Sequence, residues 1–238
     1  MVSSKRKVLV SVIVPTLNEE KWVVKCVNAI KNQTIPKTEY EIIVVDSSSD
    51  DNTVKKAKKV ADRVKVCKRI SGGHGKNVGA KMAHGRYLAF VDADTLVSKT
   101  WLEGVIEGLQ RGVGVTGPFE TIEKDSLKIE LFFKWWNLQD RISVLIGLPI
   151  FPGFNMAIRK KEFKKLGGFY DMTAEDMDIS FRLRKLGKVN FSKKMSVRTS
   201  NRRLKEIPIL PYMGGGIKYF LFRRGNSWSQ HRKDFDKK

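Results

Sequence analysis

Two aspartates, Asp92 and Asp94, follow the apolar run Tyr87–Val91 in "YLAFVDADT". Carboxylates at the end of a buried strand are costly to desolvate, so something must offset their charge. On one strand the two side chains share a face, about 7 Å apart at Cα. There they can share a divalent cation that also holds a diphosphate, because Mg2+ and Mn2+ take a few carboxylates plus substrate oxygens. The alternative is a solvated strand exit in which Asp94 caps the next helix. A D-x-D pair by itself does not choose between the two.

Asp46 closes another apolar run, "EIIVVD", and opens a hydroxyl-rich loop, Ser47 to Thr53. A carboxylate there can accept hydrogen bonds from a ribose or a base N–H, or make an Asx turn. Glu175, Asp176 and Asp178 open a helical pattern after Thr173. Acids favour a helix N-terminus, Thr173 and Asp176 have capping-box spacing, and Asp178 with Arg182 is an i,i+4 pair. The same position also suits a general base for a hydroxyl nucleophile. The absence of G-x-G-x-x-G after the first strand speaks against an NAD site, and no P-loop sequence occurs.

These residues need a scaffold that brings strand ends together. "VLVSVIVP", "EIIVVD", "RVKVCKRI" and "RYLAFVDAD" read as four buried strands. Between them lie helical patterns at Glu19–Asn32, from about Val54, and in "GGHGKNVGAKMAHG". Repeated strand–helix units predict an α/β fold with a parallel sheet covered on both faces. Ligands bind such sheets outside the carboxyl ends of the strands. Those ends are Pro15-Thr16, Asp46-Ser47-Ser48, the Ser71-Gly72-Gly73 loop and Asp92-Ala93-Asp94. Farther on, Leu127, Leu131, Trp135, Leu138, Ile142 and Leu145 form the apolar seam of a long helix, widened by Phe132, Phe133 and Trp136. "FPGFNMAIRKKEF" reads as turn, strand and helix start, "TAEDMDISFRLRKLGK" as a helix stopped by Gly187, and "VNFSKKMSVRTS" as two short strands.

The 238 residues are 41% hydrophobic and carry 46 Lys and Arg against 25 Asp and Glu, a formal charge of +21. A core is within reach at this length, and the charge favours anionic partners or marks a Lys-rich solvated surface. Cys26 and Cys67 form neither a disulfide framework nor a metal knuckle and read as reduced core residues of a cytoplasmic protein. The N-terminal run is broken by Pro15 without a small-residue cleavage site, so it reads as a strand and not a signal peptide. No apolar stretch reaches the roughly 18 residues of a membrane span. "IKYFLFRR" (217–224), with Trp135 and Trp136, suits peripheral contact with the inner face of an anionic membrane, or folding back on the domain, or dimerisation.

Taken in order, "VSVIVPTLNEE", "IIVVDSSSDDNT", "GKNVGAKMAHGRYLAFVDADT", "PGFNMAIRKKEFKKLGGF", "AEDMDISFRLRKLGK" and "TSNRR" resemble the family 2 inverting glycosyltransferases with the GT-A fold, over roughly residues 8 to 203. The resemblance implies a Rossmann-like three-layer sandwich with a mainly parallel sheet. Its nucleotide-binding half would be 8–97 and its acceptor-side half 98–200, with a basic aromatic extension from 201 to 238. It implies a UDP- or GDP-linked sugar donor, a hydroxyl acceptor that is lipid-linked or a growing glycan, and Mn2+ or Mg2+ as cofactor. By the same resemblance Pro15, Thr16 and Glu19 line the nucleotide pocket, with Asp46 against base or ribose and Lys76 and Asn77 beside the nucleotide. Lys76 stands where the family usually has Arg, keeping the charge but losing the planar fork. Asp92 would lie at the ribose, Ala93 among the residues that bind the nucleotide sugar, Asp94 at the metal, Gly153, Asn155 and Glu175 on the sugar and acceptor side, and Arg202 and Arg203 at the diphosphate. Asp176 falls in the general-base position. "DSSSD" departs from the commoner Asp-Asp-Gly-Ser form, which implies a different local turn. Two other readings remain open: a polyprenyl-phosphate sugar synthase differing in acceptor, and a basic nucleic-acid-binding protein suggested by charge alone, without a recognisable reading module.

Overall fold

The computed structural model describes residues 8–123, 126–172 and 174–202. In chain order its elements are β1 (Val10–Thr16), α1 (Val23–Lys31), β2 (Tyr40–Asp46), α2 (Thr53–Ala57), β3 (Arg63–Val66), α3 (Gly72–Met82), β4 (Tyr87–Phe90) and β5 (Thr95–Val97). There follow α4 (Trp101–Arg111), β6 (Gly114–Thr116), β7 (Phe119–Thr121), α5 (Leu127–Leu145), β8 (Met156–Arg159), α6 (Lys160–Lys165), α7 (Glu175–Leu183), β9 (Val189–Phe191) and β10 (Val197–Thr199).

The early strands are apolar at successive positions because both faces are covered. Val10, Val12 and Val14 of β1, with Ile42 and Val44 of β2 and Ala89 beside β1 on β4, pack into one layer with α1, α4 and α5. Ile13, Ile43, Val45, Leu88 and Phe90 point the other way, into α3, α6 and α7. Each such fully buried Val or Ile contributes about 1.5–3 kcal/mol. Helix α3 lies unusually close to the sheet: a Cβ on Gly79 would fall 2.4 Å from Ile13 Cγ2, so only glycine permits that approach.

The main sheet has the order β3-β2-β1-β4-β8-β6-β9, and only β8 runs antiparallel to its neighbours. The chain adds β2 and β3 on one side of β1, then returns to place β4 on the other. The carboxyl ends of β1 and β4 therefore flank a topological switch point, where open α/β sheets bind ligands. A second sheet, β5-β10-β7, follows directly from Asp94 and leads directly to Ser200. Its Thr95–Thr199 pairing, with Thr95 Oγ1 donating to Thr199 Oγ1 at 2.8 Å, fixes the residues after β10 beside the end of β4.

Several expectations change. Strand β4 stops at Phe90, and Asp92-Ala93-Asp94 form a turn closed by the Thr95 N–H donating to the Asp92 carbonyl at 3.1 Å. The two aspartates therefore do not share a strand face. The strand predicted over Arg63–Ile70 is limited to Arg63–Val66, and the Lys-rich helix before it to five residues, Thr53–Ala57. The largest change is the orientation of α5. Leu127, Leu131, Trp135, Leu138, Ile142 and Leu145 face outward, while Phe132 and Phe133 are buried with Asp140 and Ser143. Phe133 and Trp136 pack edge-on around Phe119, which also meets Phe154 at 5.2 Å. Aromatic rings bury more area than leucines and hold directional contacts with one another, so the aromatic face wins the core.

Candidate functional site

Two loops leave the sheet at the switch point and a third joins α6 to α7, and each contains a non-glycine residue with positive φ: Asn18 after β1, Ser48 after β2 and Ala174 before α7. Such strain concentrates where surrounding structure imposes a conformation. The loops after β1 and β2 are laced together. Asn18 N–H donates to Ser49 Oγ at 2.8 Å, Asp50 N–H to Asn18 Oδ1 at 3.0 Å, and Glu19 N–H to Thr53 Oγ1 at 2.7 Å. The hydroxyls of the Ser47–Thr53 loop are thus largely engaged in building the loop.

Asp46 is fully buried. Its carboxylate accepts from Thr16 Oγ1 (2.9 Å), Ser49 N–H (2.8 Å) and Ser49 Oγ (2.6 Å), which is the Asx-type turn. Pro15 and Thr16 stand at the same edge, with Thr16 opposite Asp46 in register. Asp46 ties the end of β1 to the Ser47–Thr53 loop, with both carboxylate oxygens already engaged.

On the other side of the switch point, Arg202 joins three chain segments. Its guanidinium lies 3.0 Å from Asp94 Oδ2 and also bonds Glu19 Oε1. Asp94 and Glu19 are both nearly buried. Arg202 is carried there by contacts the sequence did not advertise. Glu123, just past β7, accepts from Ser200 Oγ at 2.7 Å and from Asn201 N–H at 2.9 Å. Burial works against the Glu123 charge, but those donors hold its carboxyl below the ordinary value. The Ser200 N–H in turn donates to the Asp94 carbonyl at 3.1 Å.

Lys76 occupies the centre. It projects from α3, is 4% exposed, and its Nζ lies 3.3 Å from Glu175 Oε1 and 5.2 Å from the centre of the Phe169 ring. Burial disfavours its charge, but Glu175, Asp92 and Asp176 outweigh that penalty and raise its proton affinity above the ordinary lysine value. Asp176 accepts from Gly153 N–H through Oδ2 and from Met177 N–H through Oδ1, both at 2.9 Å. Burial and then the neighbouring Glu175 push its carboxyl up to about 6, against the pull of Lys76 and the two amides. A Cβ on Gly153 would sit 2.8 Å from Lys76 Nζ and 3.0 Å from Asp176 Oδ2, so glycine is what lets this loop close over the pair.

Helix α3 also fixes the loop that delivers α7. Asn77 clamps the Phe169 backbone through both halves of its amide, at 2.8 and 2.9 Å, and Ser71 Oγ donates to Asp171 Oδ1 at 2.6 Å. Arg182 pairs with Asp178 as the spacing predicts and donates to the Leu166 and Gly168 carbonyls. The residue capping α7 is Ala174, without a side-chain cap; Thr173 of the expected capping box lies outside the described residues.

Two expected site residues have other work to do. Asn77 spends its amide on Phe169. Asn155 is fully buried, accepts from Trp101 Nε1 at 2.9 Å and donates to the Gly117 and Met195 carbonyls at 3.0 and 2.9 Å. It ties α4 to the loops around the small sheet, with its side chain turned into the protein. Arg203 and the segment 217–224 lie outside the described residues. Asp140 is a residue that the sequence reading passed over. It is 1% exposed, its Oδ2 has no hydrogen-bond partner, and burial followed by the nearby Asp176 raises its carboxyl well above the ordinary value. An acid embedded in an apolar helix seam was the available signal.

The donor set for a cation is small. Among the described residues no cluster of three or more acidic, His or Cys side chains is placed to hold a metal ion. Asp92 and Asp94 lie on one turn, with Glu19 from the loop after β1; Arg202 faces Glu19 and Asp94, and Lys76 faces Glu175. Carboxylates outnumber the cationic side chains here, which fits a metal ion taking few protein ligands and completing its shell with substrate oxygens.

The chain resembles known proteins in sequence and in fold. The chain is 39% identical over 99 residues to the poly(ribitol-phosphate) beta-N-acetylglucosaminyltransferase TarS of Staphylococcus aureus, covering 39% of this chain and 17% of TarS. It is 30% identical over 197 residues to the probable glycosyltransferase YdaM of Bacillus subtilis, covering 75% of this chain and 47% of YdaM. The chain spans less than half the length of the curated relatives it matches. Its fold superposes with a TM-score of 0.66 on a mannosyltransferase from Pyrobaculum calidifontis in complex with GDP-Man and Mn2+, at 22% identity over 80% of this chain and 56% of that one. The scaffold is the GT-A fold, with a mixed, largely parallel central sheet. The Glycosyl transferase family 2 model matches residues 11–167, from the first residues of β1 through the strand ends bearing Asp46, Asp92 and Asp94 to the loop that leads into α7, and the chain belongs to that family.

Proposed function

We propose that the protein transfers a sugar, with inversion, from a UDP- or GDP-linked donor to a hydroxyl acceptor borne on a glycan or a lipid. The observation that carries this reading is Asp176: a carboxyl with raised proton affinity, held by Gly153 and Met177 amides beside Lys76, at the same sheet edge as Asp94 and Arg202. A general base works best with a proton affinity near the working pH. Asp176 accepts the proton of the acceptor hydroxyl as that oxygen attacks the anomeric carbon from the face opposite the leaving diphosphate. Arg202 supplies a fixed positive charge to the diphosphate side, and its existing contacts with Glu19 and Asp94 mean that no reorganisation is needed at the moment of reaction. Lys76 keeps Glu175 and Asp176 from repelling each other while the proton moves. Asp94, with Asp92 beside it, would hold Mn2+ or Mg2+, whose chemistry when bound is to neutralise charge on the departing nucleoside diphosphate.

Asp176→Asn tests this reading. The substitution keeps the shape and loses the base, so turnover should fall at least about 100-fold. Affinity for the nucleoside diphosphate, measured by calorimetry with Mn2+, should stay within about two-fold. In the wild type the rate should decline below about pH 6, as Asp176 takes up a proton. Unchanged turnover in Asp176→Asn would sink the assignment.

A further inference from the structure

Helix α5 leaves its leucine-rich stripe in solvent. Leu131, Trp135, Leu138, Ile142 and Leu145 recur at steps of four and three, and their exposures are 54, 41, 57, 46 and 76%. The stripe runs about 21 Å along the helix. It continues into an apolar groove of about 340 Å³, where Trp135, Leu138, Ile142 and Ile146 face Phe181 of α7, the helix that begins with Glu175 and Asp176. A contiguous apolar surface of this extent marks an interaction site.

Charge decides among the occupants. Lys128, Lys134 and Arg141 are exposed beside the stripe, while the two acids of the helix are withdrawn: Glu130 is half-buried and Asp140 is buried. The whole chain carries +21. A second copy would bring the same basic face against itself. The segment 203–238 carries nine Lys and Arg against three acids, so it too is a like-charged partner. An anionic bilayer satisfies both features, because interfacial helices bury an apolar face at the headgroup boundary and each adjacent Lys or Arg strengthens the attachment roughly five-fold.

We propose that α5 docks on an anionic lipid surface, with its leucine stripe in the interfacial layer and one hydrocarbon chain in the groove against Phe181. A lipid headgroup is thereby presented to the end of α7 that bears Asp176. This last step rests on the sugar-transfer reading; the docking itself does not.

Flotation of the full chain with vesicles of phosphatidylcholine alone, or of phosphatidylcholine with phosphatidylglycerol, tests it at physiological salt. The wild type should bind the anionic vesicles at least ten-fold more tightly than the neutral ones. Leu138→Asp with Ile142→Asp should lose at least ten-fold, and Lys134→Glu with Arg141→Glu at least five-fold. Val66→Asp, exposed on the far edge strand β3, should bind like the wild type. Circular dichroism melts confirm that each variant is folded, and the charge pair provides the test if the apolar pair is not. Wild-type binding by both α5 variants overturns the proposal. So does a wild type that ignores vesicles and forms dimers that the α5 substitutions dissociate, since the stripe is then a subunit interface. Nucleoside-diphosphate binding, followed by thermal shift in the same samples, reports on sugar transfer separately: its absence would remove that reading and leave the vesicle result standing.

Discussion

Lys76→Met removes a charge from the middle of the site and keeps most of the aliphatic stem. The ammonium it deletes is 4% exposed, 3.3 Å from Glu175, and one of the influences that hold the Asp176 carboxyl down. Removing one partner of a buried ion pair costs about 3–5 kcal/mol while the other stays charged. Here the stranded carboxyls can instead take up a proton, so the loss depends on pH. A carboxyl with raised proton affinity in the folded state binds more protons folded than unfolded. Stability therefore falls as pH climbs from the unfolded value through the folded one, and stays lost above it. For wild-type Asp176 that window runs from its ordinary 3.8 to about 6. Ionising Asp176 across it costs the folded state about 3 kcal/mol, at about 1.4 kcal/mol per factor of ten in acid strength. Without Lys76 the upper edge moves higher. The variant should be less stable than wild type by about 1–2 kcal/mol at pH 5 and by about 3–5 kcal/mol at pH 8. Urea unfolding at the two pH values measures both, with unchanged m confirming that the midpoint reports stability. The acid limb of the turnover profile should shift upward in parallel. An equal loss at pH 5 and pH 8, or an acid limb that stays in place, would refute the claim that Lys76 sets the proton affinity of this cluster.

Gly153→Ala introduces a methyl 2.8 Å from Lys76 Nζ and 3.0 Å from Asp176 Oδ2. Steady-state kinetics should show turnover reduced at least about ten-fold, since small displacements of reacting groups are expensive, with nucleoside-diphosphate affinity little changed. Asn155→Ala strands the buried Trp101 N–H and two carbonyls, so urea denaturation should show a loss of about 2–4 kcal/mol. Asp140→Leu replaces a buried, poorly partnered acid by an apolar side chain of similar volume. Its stability at pH 8 should be unchanged or higher by about 1–3 kcal/mol, and a loss greater than about 2 kcal/mol would show that the carboxyl is structurally required.

Much of the molecule follows from local pattern. Strands β1, β2 and β4 are legible because a strand covered on both faces must be apolar at consecutive positions, and Asp46 marks the end of such a run. Asp178 and Arg182 pair because four residues is one helical turn. The spacing of acids at strand ends was enough to point to one edge of the sheet. What the pattern leaves open is competition between distant groups. Whether Asn77 and Asn155 face a ligand or the backbone depends on Phe169, Trp101 and Met195, which lie far away in sequence. Glu123 meets Ser200 and Asn201 only because β7 and β10 pair, and Arg202 reaches Asp94 only because β10 pairs with β5. Two faces of α5 are apolar, and periodicity cannot rank them; the fold did so by offering Phe119 and Phe154 to the aromatic face, leaving the leucines outside. Sequence alone determined that β1, β2 and β4 are buried strands and that acids follow the apolar runs of β2 and β4. The tertiary structure decided which of those acids stand beside a cation, because electrostatic and packing partners are chosen by proximity in space.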